Sequence, residues 1–330
     1  MGTSDSPALA VSAPAELFEF IAPELIAFFS YNGPSEDKSG SVFEIFVNQQ
    51  TTFVCETPGR PVRLNSGRTA LLHEGAYASK ITDLEFGVVY EVSGNTITIT
   101  YNGNERRHAL DLLKIIRFLL ERDLIRRGFV KRHLACLSTG SGAAIGFIGK
   151  KGAGKTSSIL AGLKHWDTSL ISNDKTMVSE RQEVHGLPYL VPIRAETIAR
   201  LPELQAAHDI KMNDKTYFAN HSIVKKYSQS IVPAARLRAL VIPRFACTGT
   251  IGTLKPLRVS NTKKGHFLQQ HVRSFRDNLS PTWLEGFLNP NEEKKQNSDR
   301  LADLPWFALE GDLLCEATIQ LLGKIDGLVT

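Results

Sequence analysis

The sequence predicts an α/β domain that follows a small β-rich α+β domain, and three patterns along its 330 residues indicate this division. Between residues 13 and 106, short runs such as 41–47 and 96–101 alternate apolar and polar side chains, which is typical of strands with one buried face. Over residues 107–129, apolar residues recur at helical spacing and predict an amphipathic helix that connects the two domains. From residue 130 to residue 330, predicted strands and helices alternate, as they do in α/β domains.

Composition narrows the class of protein. Hydrophobic residues make up 42% and charged residues 22% of the chain, which is typical of a globular protein in water. No run approaches the roughly 20 apolar residues that a membrane-spanning helix needs. The N-terminus also lacks the pattern of a secretory signal. We therefore expect a cytoplasmic protein without a membrane partner, and we expect residues 1–12 to form a disordered leader.

The charged residues and the cysteines argue against three further features: a nucleic-acid partner, a disulfide framework and a zinc site. The net charge of +5 comes from 39 Lys and Arg against 34 Asp and Glu, spread along the chain. This mild excess suits a small anionic ligand and does not predict a nucleic-acid partner, because proteins that bind nucleic acid concentrate their basic residues on one face. The 4 cysteines are far apart, which predicts reduced thiols rather than a disulfide framework or a zinc site.

One segment carries a phosphate-binding motif. An apolar predicted strand over 144–148 leads into it, and a predicted helix over 155–163 follows, which is the strand–loop–helix context that the motif requires. The sequence therefore predicts a P-loop that binds a nucleoside triphosphate, by default ATP. The segment fits G-x-x-x-x-G-K-[ST] in full and supplies the candidate nucleotide-binding residues Gly149, Lys150, Lys151, Gly152, Ala153, Gly154, Lys155, Thr156 and the adjoining Ser157.

The residue types in this motif match the charge of a triphosphate and its Mg²⁺ ion. The glycines let the backbone turn so that successive N–H groups point at the phosphates. Lys155 places a positive charge on the β- and γ-phosphate oxygens, and Thr156 offers a hydroxyl to Mg²⁺. Asp174 follows a predicted strand over 169–172 and can return beside the loop, so it is the expected acidic partner of the metal ion.

Residues 130–200 resemble the HPr kinase/phosphorylase family, whose members are P-loop kinases related to phosphoenolpyruvate carboxykinase. The likeness rests on His133 before a predicted strand over 134–137, on a tight turn over 139–142, on the P-loop, and on Asn173 and Asp174, which stand where the family has a pair of acidic residues. It extends loosely over 130–325. The resemblance implies an α/β P-loop kinase domain of HPr-kinase type, in which the acidic pair supplies a general base and a metal partner, and it implies a possible homo-oligomer.

The resemblance also implies roles for single residues. Asp174 or His133 would activate the acceptor hydroxyl. Asn173 departs from the family pattern, because an amide can orient a hydroxyl or a water but cannot take a proton. Two arginines, Arg194 and Arg244, are candidate substrate residues, because a guanidinium group suits phosphate.

These features together predict a kinase that moves the γ-phosphate of ATP to a hydroxyl group of a small metabolite or of a serine in a peptide or protein. Two alternatives stay open. Asn173 is also compatible with a nucleotide-sensing regulatory protein that transfers phosphate weakly or not at all. A P-loop also occurs in NTPases that couple hydrolysis to a conformational change.

Overall fold

The computed structural model describes most of the chain, and the described residues form two compact units. These residues are 9–28, 43–50, 59–63, 69–75, 78–83, 85, 87–102, 107–206, 210–212, 215–246, 251–272 and 299–325. The first unit takes the described residues up to Asp123, except for 24–28, and the second unit takes 24–28 and the described residues from Leu124 onward. Residues 51–58 of the predicted β-rich domain lie outside the described residues.

In its described residues the first unit has a seven-stranded mixed sheet and two helices. The strand order is β1-β2-β7-β6-β5-β4-β3, in which β1–β2 and β2–β7 pair in parallel and the other neighbours pair antiparallel. The bounds are β1 (Leu9–Ser12), α1 (Ala15–Phe28), β2 (Phe43–Gln50), β3 (Arg60–Arg63), β4 (Thr69–Glu74), β5 (Ser79–Asp83), β6 (Val88–Ser93), β7 (Thr96–Asn102) and α2 (Arg107–Arg126).

Two features of this unit differ from the sequence prediction. The leader predicted to be disordered over 1–12 contains β1, which gains order by pairing its backbone with β2, with Val11 opposite Ile45. The helix predicted over 107–129 is α2, and up to Asp123 it belongs to the first unit rather than forming a separate connection. Its apolar stripe is buried, and the His108 ring stacks on Tyr101 of β7 at 4.3 Å between ring centroids.

The second unit contains the predicted P-loop segment. Its described strands form a nine-stranded sheet and a separate three-stranded sheet of order β14-β16-β15. The large sheet has the order β11-β9-β10-β17-β13-β12-β8, with β19 paired to β17 and β18 paired to β19. Its strands are β8 (Val130–Arg132), β9 (Leu134–Thr139), β10 (Ala143–Ile148), β11 (Thr168–Ser172), β12 (Thr176–Val178), β13 (Glu183–His185), β17 (Ala234–Phe245), β18 (Thr253–Pro256) and β19 (Trp306–Gly311).

The remaining elements of this unit are short. The small sheet consists of β14 (Val191–Arg194), β15 (Ile210–Met212) and β16 (Lys215–Phe218), and 3₁₀ turns cover Pro202–Ala206 and Asp299–Asp303. The helices are α3 (Lys155–His165), α4 (Ala195–Ala199), α5 (Asn220–Lys226), α6 (Asn261–Gln269) and α7 (Glu316–Gln320). In the described part of the chain, no helix is both long enough and apolar enough to cross a membrane.

The central strands β9 and β10 are buried on both faces, which explains their continuous apolar sequence. Alternate residues of β10 enter different clusters: Ile145 and Phe147 pack with residues of α3, and Ala144 and Ile148 pack on the opposite face with Leu240. The chain is thus mixed α/β, as the sequence predicts, and the strands and helix expected around the P-loop are confirmed.

The helix that follows β19, α7, is short and does not begin where the strand ends. Gly311 ends β19 with a φ of 115°. A turn then follows in which a side-chain oxygen of Asp312 accepts a hydrogen bond from the Leu314 N–H at 3.1 Å, and α7 begins only at Glu316. Because an Asp side chain that bonds the backbone two residues ahead favours a turn over a helix, this segment cannot continue as one helix.

Candidate nucleotide-binding site

The P-loop segment joins the end of β10 to the start of α3. Gly152 and Gly154 have φ values of 87° and 103°, a conformation that favours glycine. The Ala153 N–H donates to the Lys150 carbonyl at 3.1 Å and closes a tight turn within the loop. These two glycines therefore shape the loop, as the motif requires, before the helix begins at Lys155.

Neighbouring strand ends hold this loop in place. A Cβ atom added to Gly154 would lie 2.4 Å from Leu313 Cδ1 and 3.0 Å from Phe245 Cβ. The Phe245 N–H at the end of β17 also donates to the Ala153 carbonyl at 3.3 Å. Phe245, which ends β17, and Leu313, which lies after β19, therefore enclose the loop. They do so in addition to β10 and α3, the two elements that the loop connects.

Lys155 is the buried cation of this loop. The residue is only 6% exposed, and its Nζ donates to the Gly149 carbonyl at 2.8 Å. Its backbone lies in the first turn of α3, where unpaired N–H groups and the helix dipole give a positive potential. The ammonium group and the helix end thus combine at one place, which favours an anion.

Asp174 and His133 form a close pair near Lys155. Asp174 follows β11, His133 precedes β9, and His133 Nε2 lies 2.6 Å from Asp174 Oδ1. The His133 side chain is 12% exposed and the Asp174 side chain 32%. The backbone supports this pairing, because the Ser172 hydroxyl donates to the Lys175 carbonyl at 2.6 Å and closes the bend that carries Asp174.

The environment of Asp174 lowers its pKa. Burial alone would raise the pKa of this carboxyl group, but the hydrogen bond from His133 and the positive charges of His133, Lys155 and Lys175 outweigh burial and hold the pKa below its ordinary value. Asp174 is therefore an ionised carboxylate at neutral pH.

The direction of the strands explains why these residues meet. β9 runs antiparallel to both β10 and β11, so β10 and β11 run parallel to each other, and β17 and β19 continue in the same direction. The carboxyl ends of these four strands consequently lie at one edge of the sheet, where ligands bind in open α/β sheets. This edge carries Asn173 and Asp174, the P-loop, Phe245 and Asp312.

Asn173 is buried in an unusual state. The residue is 5% exposed, and its side-chain Oδ1 atom has no hydrogen-bond partner among the residues that the structure describes. A buried polar atom without a partner costs about 1–3 kcal/mol, so such atoms often mark a position where a ligand or water supplies the missing bond. Asn173 precedes Asp174 in the same bend, so it is a candidate member of the site.

The other predicted site residues do not all lie at this sheet edge. Lys150 and Lys151 are exposed on the loop, and Thr156 and Ser157 are partly buried in the first turn of α3. Arg194 ends β14 in the separate three-stranded sheet, and its side chain is exposed.

Arg244 lies near the site but is engaged elsewhere. It precedes Phe245 on β17, and its Nη1 donates to Glu310 Oε1 at 2.8 Å. Because adjacent strand residues point to opposite faces, Arg244 points away from the face on which Phe245 contacts the P-loop. The structure therefore does not join Arg194 or Arg244 to the group around Lys155, and their roles as substrate residues stay predictions.

Sequence reasoning missed a second charged pair at this edge. Asp312, which follows β19, accepts a hydrogen bond on Oδ2 from Arg200 Nη2 at 2.6 Å, and the Arg200 guanidinium lies 5.5 Å from the centroid of the Phe245 ring. The one signal in the sequence was an Asp close to the end of a predominantly apolar run, a position similar to that of Asp174 after its predicted strand.

The residues at this edge fit a magnesium–nucleoside triphosphate. Mg²⁺ prefers oxygen ligands and in nucleotide sites takes one or two from the protein and the rest from phosphates and water. Thr156 and Asp174 could supply those oxygens, and the unpartnered Oδ1 of Asn173 could accept from a bound water or hydroxyl. In the described residues no group of three or more His, Cys, Asp and Glu side chains could hold a metal ion by itself.

Comparison with known proteins adds no family. No protein-family model matches the chain, and no curated protein matches it. The functional argument therefore rests on the P-loop motif and on the arrangement of side chains at this sheet edge.

Proposed function

We propose that this protein is an ATP-dependent phosphotransferase with a catalytic domain of HPr-kinase type, which moves the γ-phosphate to a hydroxyl group of a small metabolite or of a serine in a peptide or protein. One observation carries the proposal. Asp174 is hydrogen-bonded to His133 at 2.6 Å, and it follows β11 at the same sheet edge at which β10 leads into the P-loop with Lys155. A carboxylate beside the phosphate-binding lysine is the arrangement that phosphoryl transfer to a hydroxyl group needs.

In this proposal the chain's own residues divide the work. The loop glycines and the first turn of α3 cradle the triphosphate, and Lys155 neutralises charge that develops on the transferred phosphoryl group. Thr156 and Asp174 would hold Mg²⁺, which when bound neutralises the β- and γ-phosphate oxygens. Asn173 would orient the acceptor hydroxyl through its buried amide oxygen.

In this proposal Asp174 and His133 have complementary tasks. His133 donates from Nε2 to the Asp174 carboxylate and so fixes its orientation. The lowered pKa keeps Asp174 ionised, which suits a metal ligand and makes it a weak base. Phosphoryl transfer depends mainly on positioning and charge neutralisation, so a weak base that accepts the hydroxyl proton late is sufficient.

The first experiment measures ADP release from Mg·ATP by purified protein, with and without soluble extract from the source organism. We expect release that the extract stimulates and that the Lys155→Ala variant abolishes. Lys226→Ala is the matched control, because Lys226 is an exposed lysine of α5. If the protein binds ATP by calorimetry but extract never stimulates ADP release, the phosphotransferase proposal is wrong.

Asn173 favours a second candidate, a nucleotide-sensing regulatory protein. An amide cannot accept a proton, so its presence in the acidic pair of the resembled family is compatible with lost transfer. The Asn173→Asp variant separates the two candidates. If Asn173 is suited to the present reaction, the variant loses transfer, because a second carboxylate beside Asp174 repels the phosphates. A large gain in transfer would instead support the sensor.

A further inference from the structure

The Arg200–Asp312 pair is built into the flank of the P-loop. The Asp312 side chain is 7% exposed and uses both oxygens, accepting from Arg200 Nη2 at 2.6 Å and from the Leu314 N–H at 3.1 Å. Burying a carboxylate is costly unless its oxygens are hydrogen-bonded, so Asp312 needs these partners. The close, charge-assisted bond to Arg200 in turn fixes the guanidinium group in one position. The Arg200 side chain nevertheless remains 37% exposed and accessible to a ligand.

Phe245 connects this pair to the loop. Its ring centroid lies 5.5 Å from Arg200 Cζ, and its N–H donates to the Ala153 carbonyl at 3.3 Å. Leu313, the neighbour of Asp312, encloses Gly154. The guanidinium group therefore lies over the ring of a residue whose backbone N–H is hydrogen-bonded to the phosphate-binding loop.

The pair lies on the side of the P-loop away from Asp174. Asp174 follows β11, which is two strands to one side of β10, and Asp312 follows β19, which is two strands to the other side. With neighbouring strands about 4.8 Å apart, each strand end is about 10 Å from the end of β10. A phosphate group that faces Asp174 and Lys155 is therefore on the opposite side of the loop from Arg200.

We propose that Arg200, held by Asp312 against the Phe245 ring, contacts the sugar and base of the bound nucleotide. This inference rests on the proposed nucleotide binding. Because the γ-phosphate has to face Asp174 for transfer, the nucleoside leaves the P-loop toward the ends of β17 and β19. A planar guanidinium group on an aromatic ring offers N–H donors to hydroxyl and ring acceptors, and flat surfaces on which a base stacks.

The test compares two ligands that share three phosphates and differ in the nucleoside. Calorimetry with the full-length protein measures the Kd of Mg·ATP and of magnesium tripolyphosphate for the wild type and for Arg200→Ala. We expect Arg200→Ala to weaken Mg·ATP about tenfold or more, which is the usual cost of a lost charged hydrogen bond, and to change tripolyphosphate less than about twofold. Arg258→Ala, an exposed arginine outside the pair, should leave both values unchanged.

A double-mutant cycle tests whether the two residues act as one unit. Asp312→Asn should weaken Mg·ATP in the same selective way, and the double variant should lose less than the product of the two single effects. Thermal unfolding of each variant shows whether it is folded. Arg200→Lys keeps the positive charge and loses the planar guanidinium group. If this variant binds Mg·ATP more tightly than Arg200→Ala but more weakly than the wild type, the result supports recognition by the guanidinium group.

Three results would overturn the inference. Equal weakening of both ligands would mean that the pair only supports the loop, and unchanged affinity for both would mean that Arg200 contacts no part of the nucleotide. If the wild type binds neither ligand, the P-loop assignment itself is wrong. The absence of ADP release with intact ATP binding concerns only phosphate transfer, so failure of the phosphotransferase proposal and failure of this inference are distinguishable.

Discussion

Gly154→Ala tests directly how the P-loop is enclosed. An alanine at a φ of 103° costs about 1–3 kcal/mol in backbone strain. Its Cβ would lie 2.4 Å from Leu313 Cδ1 and 3.0 Å from Phe245 Cβ, and relieving such a contact in a packed site costs about another 1–3 kcal/mol. We therefore expect a loss of about 2–6 kcal/mol in the free energy of unfolding, since the two costs add.

Gly142→Ala separates the two contributions. Gly142 lies in the turn between β9 and β10 with a φ of 79°, and a Cβ added there would meet nothing within 4 Å. This variant should therefore show the backbone cost alone, about 1–3 kcal/mol. Urea unfolding followed by tryptophan fluorescence, to which Trp166 at the end of α3 contributes, gives both values. If Gly154→Ala is no more destabilising than Gly142→Ala, then Leu313 and Phe245 do not enclose the loop.

Two further predictions follow from shifted pKa values. Because the folded protein holds the pKa of Asp174 below its unfolded value, Asp174 stabilises the fold at neutral pH, and this contribution is lost as the pH falls from the ordinary carboxyl pKa through the lowered pKa of the folded protein. The difference in thermal midpoint between the wild type and Asp174→Asn should therefore shrink on acidification. Asp167→Asn, which changes an exposed carboxyl group, is the control and should show no such trend. Midpoint profiles of the wild type and Asp174→Asn that stay parallel with pH would contradict the lowered pKa. Burial raises the pKa of Cys136 to about 12, although Thr176 lowers it somewhat. Iodoacetamide at neutral pH should therefore alkylate the partly exposed Cys315 and spare Cys136 until urea is added. Peptide mass mapping measures both reactions. Equal alkylation rates of the two cysteines in the folded protein would argue against the burial of Cys136.

The parts of the fold that local sequence determines were predictable. The P-loop needs glycines, a lysine and a hydroxyl residue in fixed order, and the strand before it and the helix after it carry clear apolar periodicity. Asp174 was predictable for the same reason, because it lies two residues after the end of the short strand β11.

Pairing between distant segments was not predictable. The residues of β1 have no clear alternation, and they form a strand because β2 offers a backbone edge with which they pair in parallel. In the same way, nothing in the sequence shows that β9 lies between β10 and β11. That position makes β10 and β11 parallel and so brings Asp174 to the edge that carries the P-loop.

The Arg200–Asp312 pair, which we propose contacts the nucleoside, shows why such a contact is harder to predict from sequence than the phosphate-binding motif. The phosphates are held by backbone N–H groups of one continuous segment, so their site leaves a local motif. Arg200 and Asp312 are 112 residues apart and meet only because β19 pairs in parallel with β17, which in turn pairs with β10. A contact that depends on two strand pairings leaves no spacing in the sequence. The comparison of ATP with tripolyphosphate therefore addresses the part of the site for which only the structure provides residues.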